Sequence, residues 1–164
     1  MPFDADITAK AERLLALARA QGMKLATAES CTGGLIGGAL TSIAGSSDVV
    51  DRGFITYSNE AKQQMLGVSA ESLARFGAVS EAVAKEMAYG ALAHSMADAA
   101  VAVTGVAGPG GGSEEKPVGL VWFGIAVQGQ APEAFKMLFG DIGRDGIRTE
   151  TVRKALEALT AAIA

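Results

Sequence analysis

Residues 24–45 read KLATAESCTGGLIGGALTSIAG, and this stretch decides the fold of the 164-residue chain. Its first five residues, Lys24–Ala28, form a short apolar run typical of a β-strand. Two adjacent glycines, Gly33 and Gly34, then open an apolar segment over Leu35–Ala44 that contains many small residues. The order strand, loop, helix is the basic unit of layered α/β domains. We therefore expect the loop to lie at the carboxyl end of a strand, where open α/β sheets bind ligands.

The rest of the chain continues to alternate helices with strands and ends with a hairpin and a helix. Asp4 or Asp6 can cap a first helix that ends near Gln21. Because helices separate the early strands and a hairpin follows, we predict an α/β layered domain with a mixed sheet. The other predicted strands are Gly53–Tyr57, Ala99–Thr104, Val118–Val127 and Ala134–Phe139, and the other predicted helices are Asn59–Leu66, Glu81–Met96 after a cap at Ser80, and Gly146–Ile163.

Composition and charge exclude several classes of protein. With 49% hydrophobic and 20% charged residues, the chain can bury a core without disulfides. Its net charge of −4 lacks the positive field that binds nucleic acid or anionic membranes, so we expect neither as a partner. No apolar stretch is long enough to span a bilayer, and charges run through Met1–Ala20, unlike a signal peptide. These features predict a cytoplasmic protein.

The sequence also disfavours metal and histidine chemistry. Its one cysteine, Cys31, cannot close an intramolecular disulfide, and its one histidine, His94, cannot form a histidine-rich zinc site. His94 lies in an apolar periodic stretch, which favours a packing or helix-surface role over a catalytic one. We therefore expect no metal and no other cofactor, and a catalytic base other than histidine.

Ser30 is a candidate nucleophile because it stands between a strand end and a Gly-Gly helix start. Free backbone N–H groups at Thr32, Gly33 and Gly34 could bind a developing oxyanion there. A serine in this position can equally be only a helix cap. Cys31 is a rival nucleophile, although a lone cysteine is more often simply buried.

Lys62 is the candidate base for such a serine. If Asn59 caps the following helix, Lys62 lies in the first turn, where the helix dipole disfavours its positive charge. A lysine with a lowered pKa can take the proton of a serine hydroxyl. The alternative is a solvated surface lysine. Tyr57 could relay a proton or orient the base, or could serve only for packing.

A glycine-rich loop, Gly105–Ser113, follows the strand that ends at Thr104. It fits neither the Walker A pattern nor G-x-G-x-x-G, yet its backbone N–H groups could approach an anion or a planar ring. Arg144 and Arg148, at the start of the last helix, could pair with a phosphate or carboxylate. A flexible surface loop and solvated arginines are the alternatives.

Three motifs carry a resemblance to a known family: AESCTGG at 28–34, GFITYSNEAK at 53–62 and TGVAGP at 104–109. Shorter matches follow the same order at 44–47, 77–80 and 111–119. Together they closely resemble the CinA C-terminal domain family over nearly the whole chain. The resemblance implies a single three-layer domain over residues 1–164, with a mixed β-sheet flanked by helices, in the stand-alone form that some members take.

The activity that the resemblance implies is hydrolysis of the carboxamide of nicotinamide mononucleotide to nicotinate mononucleotide and ammonia, in pyridine nucleotide recycling. Position by position, Ser30 matches the family's nucleophile, Lys62 its catalytic lysine and Tyr57 its catalytic tyrosine. The resulting mechanism is that of a C–N hydrolase acting on a linear amide, and it needs neither metal nor histidine.

The candidate substrate-binding residues supply hydroxyl, amide, guanidinium or backbone N–H donors. One departure from the family affects them, because two extra residues precede Arg144 and Arg148 is followed by Thr149-Glu150. This altered arginine segment leaves open a serine amidase acting on another small amide. The glycine-rich loop, and the occurrence of family members as part of longer proteins, leave open a non-catalytic nucleotide-binding or assembly module. The mean hydropathy of +0.28 favours a homo-oligomer. The substrate-binding candidates are Thr32, Gly33, Gly34, Ser46, Ser47, Asn59, Thr104, Gly105 and Arg144.

Overall fold

The computed structural model describes residues 3–164, and five strands in this range form one mixed sheet. The spatial order of the strands, numbered along the chain, is β2-β1-β3-β4-β5. The first three strands are parallel, and the last two form the predicted antiparallel hairpin, whose first strand pairs with the third strand of the sheet. The strands are β1 (Leu25–Glu29), β2 (Val50–Ile55), β3 (Ala99–Gly105), β4 (Leu120–Val127) and β5 (Glu133–Leu138).

Helices cover both faces of the sheet and give the three-layer α/β architecture that the sequence predicts. The first, second and last helices pack on one face, and the three helices in the middle of the chain pack on the other. Two separate apolar cores result, one on each face. The helices are α1 (Ala5–Ala20), α2 (Leu35–Thr41), α3 (Asn59–Leu66), α4 (Ala70–Phe76), α5 (Glu81–Ala93) and α6 (Arg144–Ile163).

The start of α3 differs by one residue from the prediction. Ser58, rather than Asn59, is the cap, because its Oγ accepts the N–H of Ala61 at 3.0 Å. Asn59 is then the first helical residue, and Lys62 still lies in the first turn. Of the two predicted caps for α1, Asp4 is confirmed.

Small residues bring α5 close to the sheet and to α3. A Cβ on Gly124 of β4 would lie 2.1 Å from the carbonyl oxygen of Ala84, and one on Gly90 would lie 1.9 Å from that of Leu66. The buried hydrophobic residues of β1 and β3 on the face toward α5 are all alanines. Part of the excess of 32 alanines and 21 glycines therefore serves close packing, which fixes α3 and its Lys62 against the sheet.

The three parallel strands β1, β2 and β3 have their carboxyl ends at the same edge of the sheet. Glu29 of β1 is in register with Ile55 of β2 and Val103 of β3. The residues that follow the strands, Ser30 and Thr56 among them, therefore meet at this edge. It is the ligand-binding edge of an open α/β sheet.

Candidate active site

Ser30 is held by the backbone at the end of β1. Its N–H donates to the carbonyl oxygen of Val103 at 3.1 Å, and its own carbonyl oxygen accepts the N–H of Gly33 at the same distance. Only 8% of the residue is exposed. The Ser30 loop (residues 30–34) thus leaves the sheet in a fixed conformation, with the serine hydroxyl near the surface.

Lys62 reaches Ser30 from α3, and its side chain is buried, with 1% exposed. The ammonium Nζ lies 3.0 Å from Ser30 Oγ, and it donates to the carbonyl oxygens of Thr56 at 2.9 Å and Tyr57 at 3.2 Å. Burial lowers the pKa of Lys62 from its ordinary value, because water no longer solvates the charge. The three hydrogen-bond partners include no carboxylate that would offset this shift.

The same geometry suits a neutral lysine as a base. A neutral amine has two N–H groups and one lone pair. The two carbonyl oxygens accept the two N–H groups, so the lone pair is left for the hydroxyl hydrogen of Ser30. The pair can therefore move a proton from Ser30 Oγ to Lys62 Nζ without histidine or a metal ion.

A cavity of about 220 Å³ adjoins this pair. It combines residues from all three loops that the sequence singles out, because their strands end at the same edge. Of the predicted substrate-binding residues, Asn59, Thr104, Gly105 and Arg144 are in its lining. The lining residues are Ser30, Cys31, Tyr57, Asn59, Lys62, Ala78, Val79, Thr104, Gly105, Ala107 and Arg144.

Arg144 is part of the cavity lining. It is the first residue of α6, and its guanidinium donates to the carbonyl oxygen of Gly108 at 2.7 Å and to the hydroxyl of Tyr57 at 3.3 Å. Tyr57 is 64% exposed, so its ring stands at the mouth of the cavity. Tyr57 thus contacts Lys62 through its carbonyl oxygen and Arg144 through its hydroxyl.

Thr104 and Cys31 also line the cavity, and the side chain of the first is hydrogen-bonded within the protein while that of the second is protonated. The hydroxyl of Thr104 donates to the carbonyl oxygen of Ala78 at 3.0 Å, which ties β3 to the segment before α5. Burial raises the pKa of the Cys31 thiol to about 11. At neutral pH Cys31 therefore stays a thiol, a weak nucleophile beside Ser30.

Several predicted site residues are not brought to this cavity. Ser46 and Ser47 form a short 3-10 turn just before β2. Because β2 runs parallel to β1, residues that precede it lie at the opposite edge of the sheet from Ser30. The structure therefore does not bring Ser46 and Ser47 to this cavity.

Three predicted residues of the Ser30 loop, Thr32, Gly33 and Gly34, are also outside the cavity lining. Thr32 is fully buried, with its hydroxyl bonded to Glu29, and the N–H of Gly33 is taken by Ser30. Neither Thr32, Gly33 nor Gly34 is in the lining, so the predicted oxyanion donors are not brought to the cavity. A Cβ added to Gly34 would lie 3.0 Å from Ile55 Cδ1, so this glycine lies close to the end of β2.

Sequence reasoning missed the roles of Glu29 and Arg148. The carboxylate of Glu29 is buried beneath the Ser30 loop, and Arg148 donates to the carbonyl oxygens of Cys31 at 3.1 Å and Thr32 at 3.3 Å. Arg148 therefore faces the Ser30 loop. A glutamate that ends a fully buried strand was an available signal for the first residue; nothing local signals the second, which is more than 100 residues from its partners.

Within residues 3–164, no three His, Cys, Asp or Glu side chains lie close enough together to hold a metal ion. His94 is at the end of α5, where its Nδ1 lies 2.8 Å from the carbonyl oxygen of Gly90. None of the helices described over the same range has both the length and the apolar character needed to cross a membrane.

Comparison with known proteins decides the family, because residues 7–163 match the model of the CinA C-terminal domain. The chain belongs to the CinA C-terminal domain family. Among its CinA relatives, nicotinamide-nucleotide amidohydrolase PncC of Escherichia coli K12 is 49% identical over 95% of this chain and 94% of its own length. A CinA-like protein of Akkermansia muciniphila is 50% identical over 85% of this chain but only 33% of its own length.

Solved structures of CinA-family proteins share the whole fold. The crystal structure of competence/damage inducible protein CihA from Agrobacterium tumefaciens matches with a TM-score of 0.95 and 57% identity, over 97% of this chain and 96% of that one. A CinA superfamily protein from Escherichia coli matches with a TM-score of 0.90 and 37% identity, over 98% and 91% of the two chains. The resemblance drawn from the motifs is confirmed.

Proposed function

We propose that this protein hydrolyses the carboxamide of nicotinamide mononucleotide to nicotinate mononucleotide and ammonia, with Ser30 as nucleophile and Lys62 as its base. Relatives from Escherichia coli and Enterobacter agglomerans that are 49% and 52% identical to this chain bear the name nicotinamide-nucleotide amidohydrolase. The observation that carries the proposal is the 3.0 Å contact of Ser30 Oγ with the buried Lys62 Nζ beside a cavity.

In the first half of the reaction, the hydroxyl proton of Ser30 moves to Lys62 Nζ while Oγ forms a bond to the carboxamide carbon. The electron pair of the C=O bond moves to oxygen, which becomes an oxyanion. Cys31 follows the nucleophile and is the other loop residue in the cavity lining, so we assign its backbone N–H to the oxyanion. The protonated Lys62 then has three N–H donors and three acceptors within reach.

Collapse of the tetrahedral intermediate breaks the C–N bond. The leaving nitrogen takes the proton from Lys62 and departs as ammonia, which leaves an ester between Ser30 and the nicotinoyl carbon. Lys62 then takes a proton from water as the water oxygen attacks the ester. The C–Oγ bond breaks, Ser30 regains a proton from Lys62, and the product leaves as a carboxylic acid that releases its remaining proton to water to become the carboxylate.

The other lining residues fit the remainder of the nucleotide. A cavity of about 220 Å³ beside Ser30 suits the pyridine ring, and the exposed guanidinium of Arg144 suits the phosphate. Binding of the phosphate would replace the present contacts of Arg144 with Gly108 and Tyr57. Tyr57 would orient Lys62 through its carbonyl oxygen. We place the reaction in pyridine nucleotide recycling in the cytoplasm.

The test is to incubate purified protein with nicotinamide mononucleotide and to follow both ammonia and nicotinate mononucleotide. We expect equal amounts of the two products. Free nicotinamide, which lacks the phosphate, serves as the matched control and should react with a much lower kcat/KM. The absence of ammonia from the mononucleotide, or a far higher kcat/KM for an unrelated small amide, would contradict the assignment.

A further inference from the structure

Glu29 is a buried carboxylate that the proposed reaction does not use. It ends β1, and only 1% of it is exposed. A buried charge is costly unless hydrogen bonds replace its water. Four neutral donors do so here: Thr32 Oγ at 2.5 Å and the N–H of Ile36 at 2.9 Å for one oxygen, and the N–H of Gly37 at 2.9 Å and Thr27 Oγ at 3.3 Å for the other.

These donors lie on both sides of Ser30 in the chain. Thr27 is on the strand before it, Thr32 is inside the Ser30 loop, and the two N–H groups belong to the first turn of α2, after the loop. One side chain therefore holds together the strand end, the loop and the helix start. A change at Glu29 alters the path of the backbone that carries Ser30 Oγ.

Arg148 holds the same loop from α6. Its half-buried guanidinium donates through Nε to the carbonyl oxygen of Cys31 and through Nη2 to that of Thr32. Two bonds from one planar group fix the orientation of two successive peptide units. Glu29 and Arg148 are both absent from the cavity lining, so neither would touch a ligand there.

We propose that Glu29 and Arg148 are positioning residues that together set the orientation of Ser30 toward Lys62. The inference rests on the proposed function for its kinetic readout, and on geometry alone for its structural readout. The Ser30 Oγ to Lys62 Nζ distance of 3.0 Å is the quantity that the two residues maintain. A displacement of about 1 Å at reacting atoms can cost on the order of 100-fold in rate.

The sharpest variant is Glu29→Gln, which keeps the length and shape of the side chain. Each carboxylate oxygen accepts one backbone N–H, from Ile36 or from Gly37. Either orientation of the glutamine amide therefore turns its NH2 group toward a backbone N–H, and the loop must move. Arg148→Met removes both bonds to the loop, whereas Arg148→Lys keeps the charge and can reach a carbonyl with a single ammonium.

The matched control is Thr151→Val. Thr151 is fully buried on α6, close to Arg148 in the chain, and its hydroxyl donates to the carbonyl oxygen of Ile147 at 2.7 Å. This variant loses a buried hydrogen bond within α6, in which no residue of the Ser30 loop takes part. It shows how much activity a loss of stability alone removes.

The test is to measure kcat and KM of the variants with nicotinamide mononucleotide, and to determine the Ser30–Lys62 distance in their crystal structures. We expect kcat to fall about 10- to 100-fold in Glu29→Gln and Arg148→Met and less in Arg148→Lys, with KM within about threefold of the wild type. The distance should exceed the 3.5 Å limit of a hydrogen bond in the first two.

A kcat as high as that of Thr151→Val overturns the inference, and so does an unchanged Ser30–Lys62 distance, whichever of the two is observed. If the wild type releases no ammonia from the mononucleotide, the proposed function fails, but the distance still tests the inference. If Glu29→Gln does not fold, the two Arg148 variants decide it.

Discussion

Replacing Lys62 by arginine or by methionine removes the proposed base beside Ser30. Arginine keeps a positive charge at this position, whereas methionine removes it. The guanidinium of Lys62→Arg stays protonated at every accessible pH, so it keeps a charge but cannot accept a proton. The thioether of Lys62→Met has a similar length and no charge. If Lys62 acts as a base, both variants lose activity; if it acts only as a cation, Lys62→Arg keeps it.

The size of the loss follows from the geometry. Lys62 Nζ lies 3.0 Å from Ser30 Oγ, within reach of direct proton transfer, and removal of a general base costs about 10²- to 10⁴-fold. A loss of about 10³-fold corresponds to about 4 kcal/mol in the barrier. In Lys62→Met the carbonyl oxygens of Thr56 and Tyr57 lose a donor, at about 1–3 kcal/mol each, but no amine is buried. Because these effects oppose each other, the variant should still fold.

The assay is ammonia release from nicotinamide mononucleotide at saturating substrate, with thermal unfolding measured in parallel. The control is Lys85→Met, which removes a partly exposed lysine of α5 that pairs with Glu81. We expect wild-type kcat for the control and a loss near 10³-fold for both Lys62 variants. A Lys62→Arg enzyme that keeps more than about a tenth of the wild-type kcat would refute the base role.

Three further predictions concern stability and reactivity. Burial lowers the pKa of Lys62 in the native state, so between that lowered pKa and the ordinary 10.5 the unfolded chain binds more protons than the native protein. The free energy of unfolding should therefore rise with pH across this window. Denaturant titrations at several pH values test this, and an equal dependence of the free energy of unfolding on pH in Lys62→Met would contradict it. The Cys31 thiol, with a pKa of about 11 against an ordinary 9.0, should react with iodoacetamide about 100-fold more slowly in the native protein than in the unfolded one, and equal rates would contradict its burial. Gly90→Ala should lower the free energy of unfolding by about 1–3 kcal/mol, because its Cβ would meet the Leu66 carbonyl oxygen at 1.9 Å. Gly110→Ala is the control, since an added Cβ there meets nothing within 4 Å, and it should cost less than about 1 kcal/mol in the same denaturant titration.

The elements that the sequence predicts best are those with strong local signals. The α1 cap at Asp4, the hairpin of β4 and β5, and the early strand-helix order are all confirmed. Local signals also bring Lys62 into the first turn of α3, even though its cap is Ser58 and not Asn59. The error of one residue arises because both side chains can cap a helix.

The parts that could not be predicted depend on which strands are neighbours. Ser46 and Ser47 are substrate-binding candidates by residue type, but the parallel pairing of β1 and β2 places them at the opposite end of the strands from Ser30. Arg148 contacts carbonyl oxygens more than 100 residues away, and no local pattern encodes that contact. The predicted homo-oligomer stays a prediction, which light scattering of the purified protein can test.

Acylation of Ser30 can be detected directly as the mass of the peptide that contains Ser30 and Cys31, isolated by acid quench during turnover of nicotinamide mononucleotide. If Ser30 is the nucleophile, this peptide gains the mass of nicotinate mononucleotide less one water, with fragmentation placing the group on Ser30 Oγ. In Ser30→Ala, neither the modified peptide nor ammonia should form. An acyl group found on Cys31 Sγ, or wild-type turnover by Ser30→Ala, would contradict the claim that Ser30 is the nucleophile.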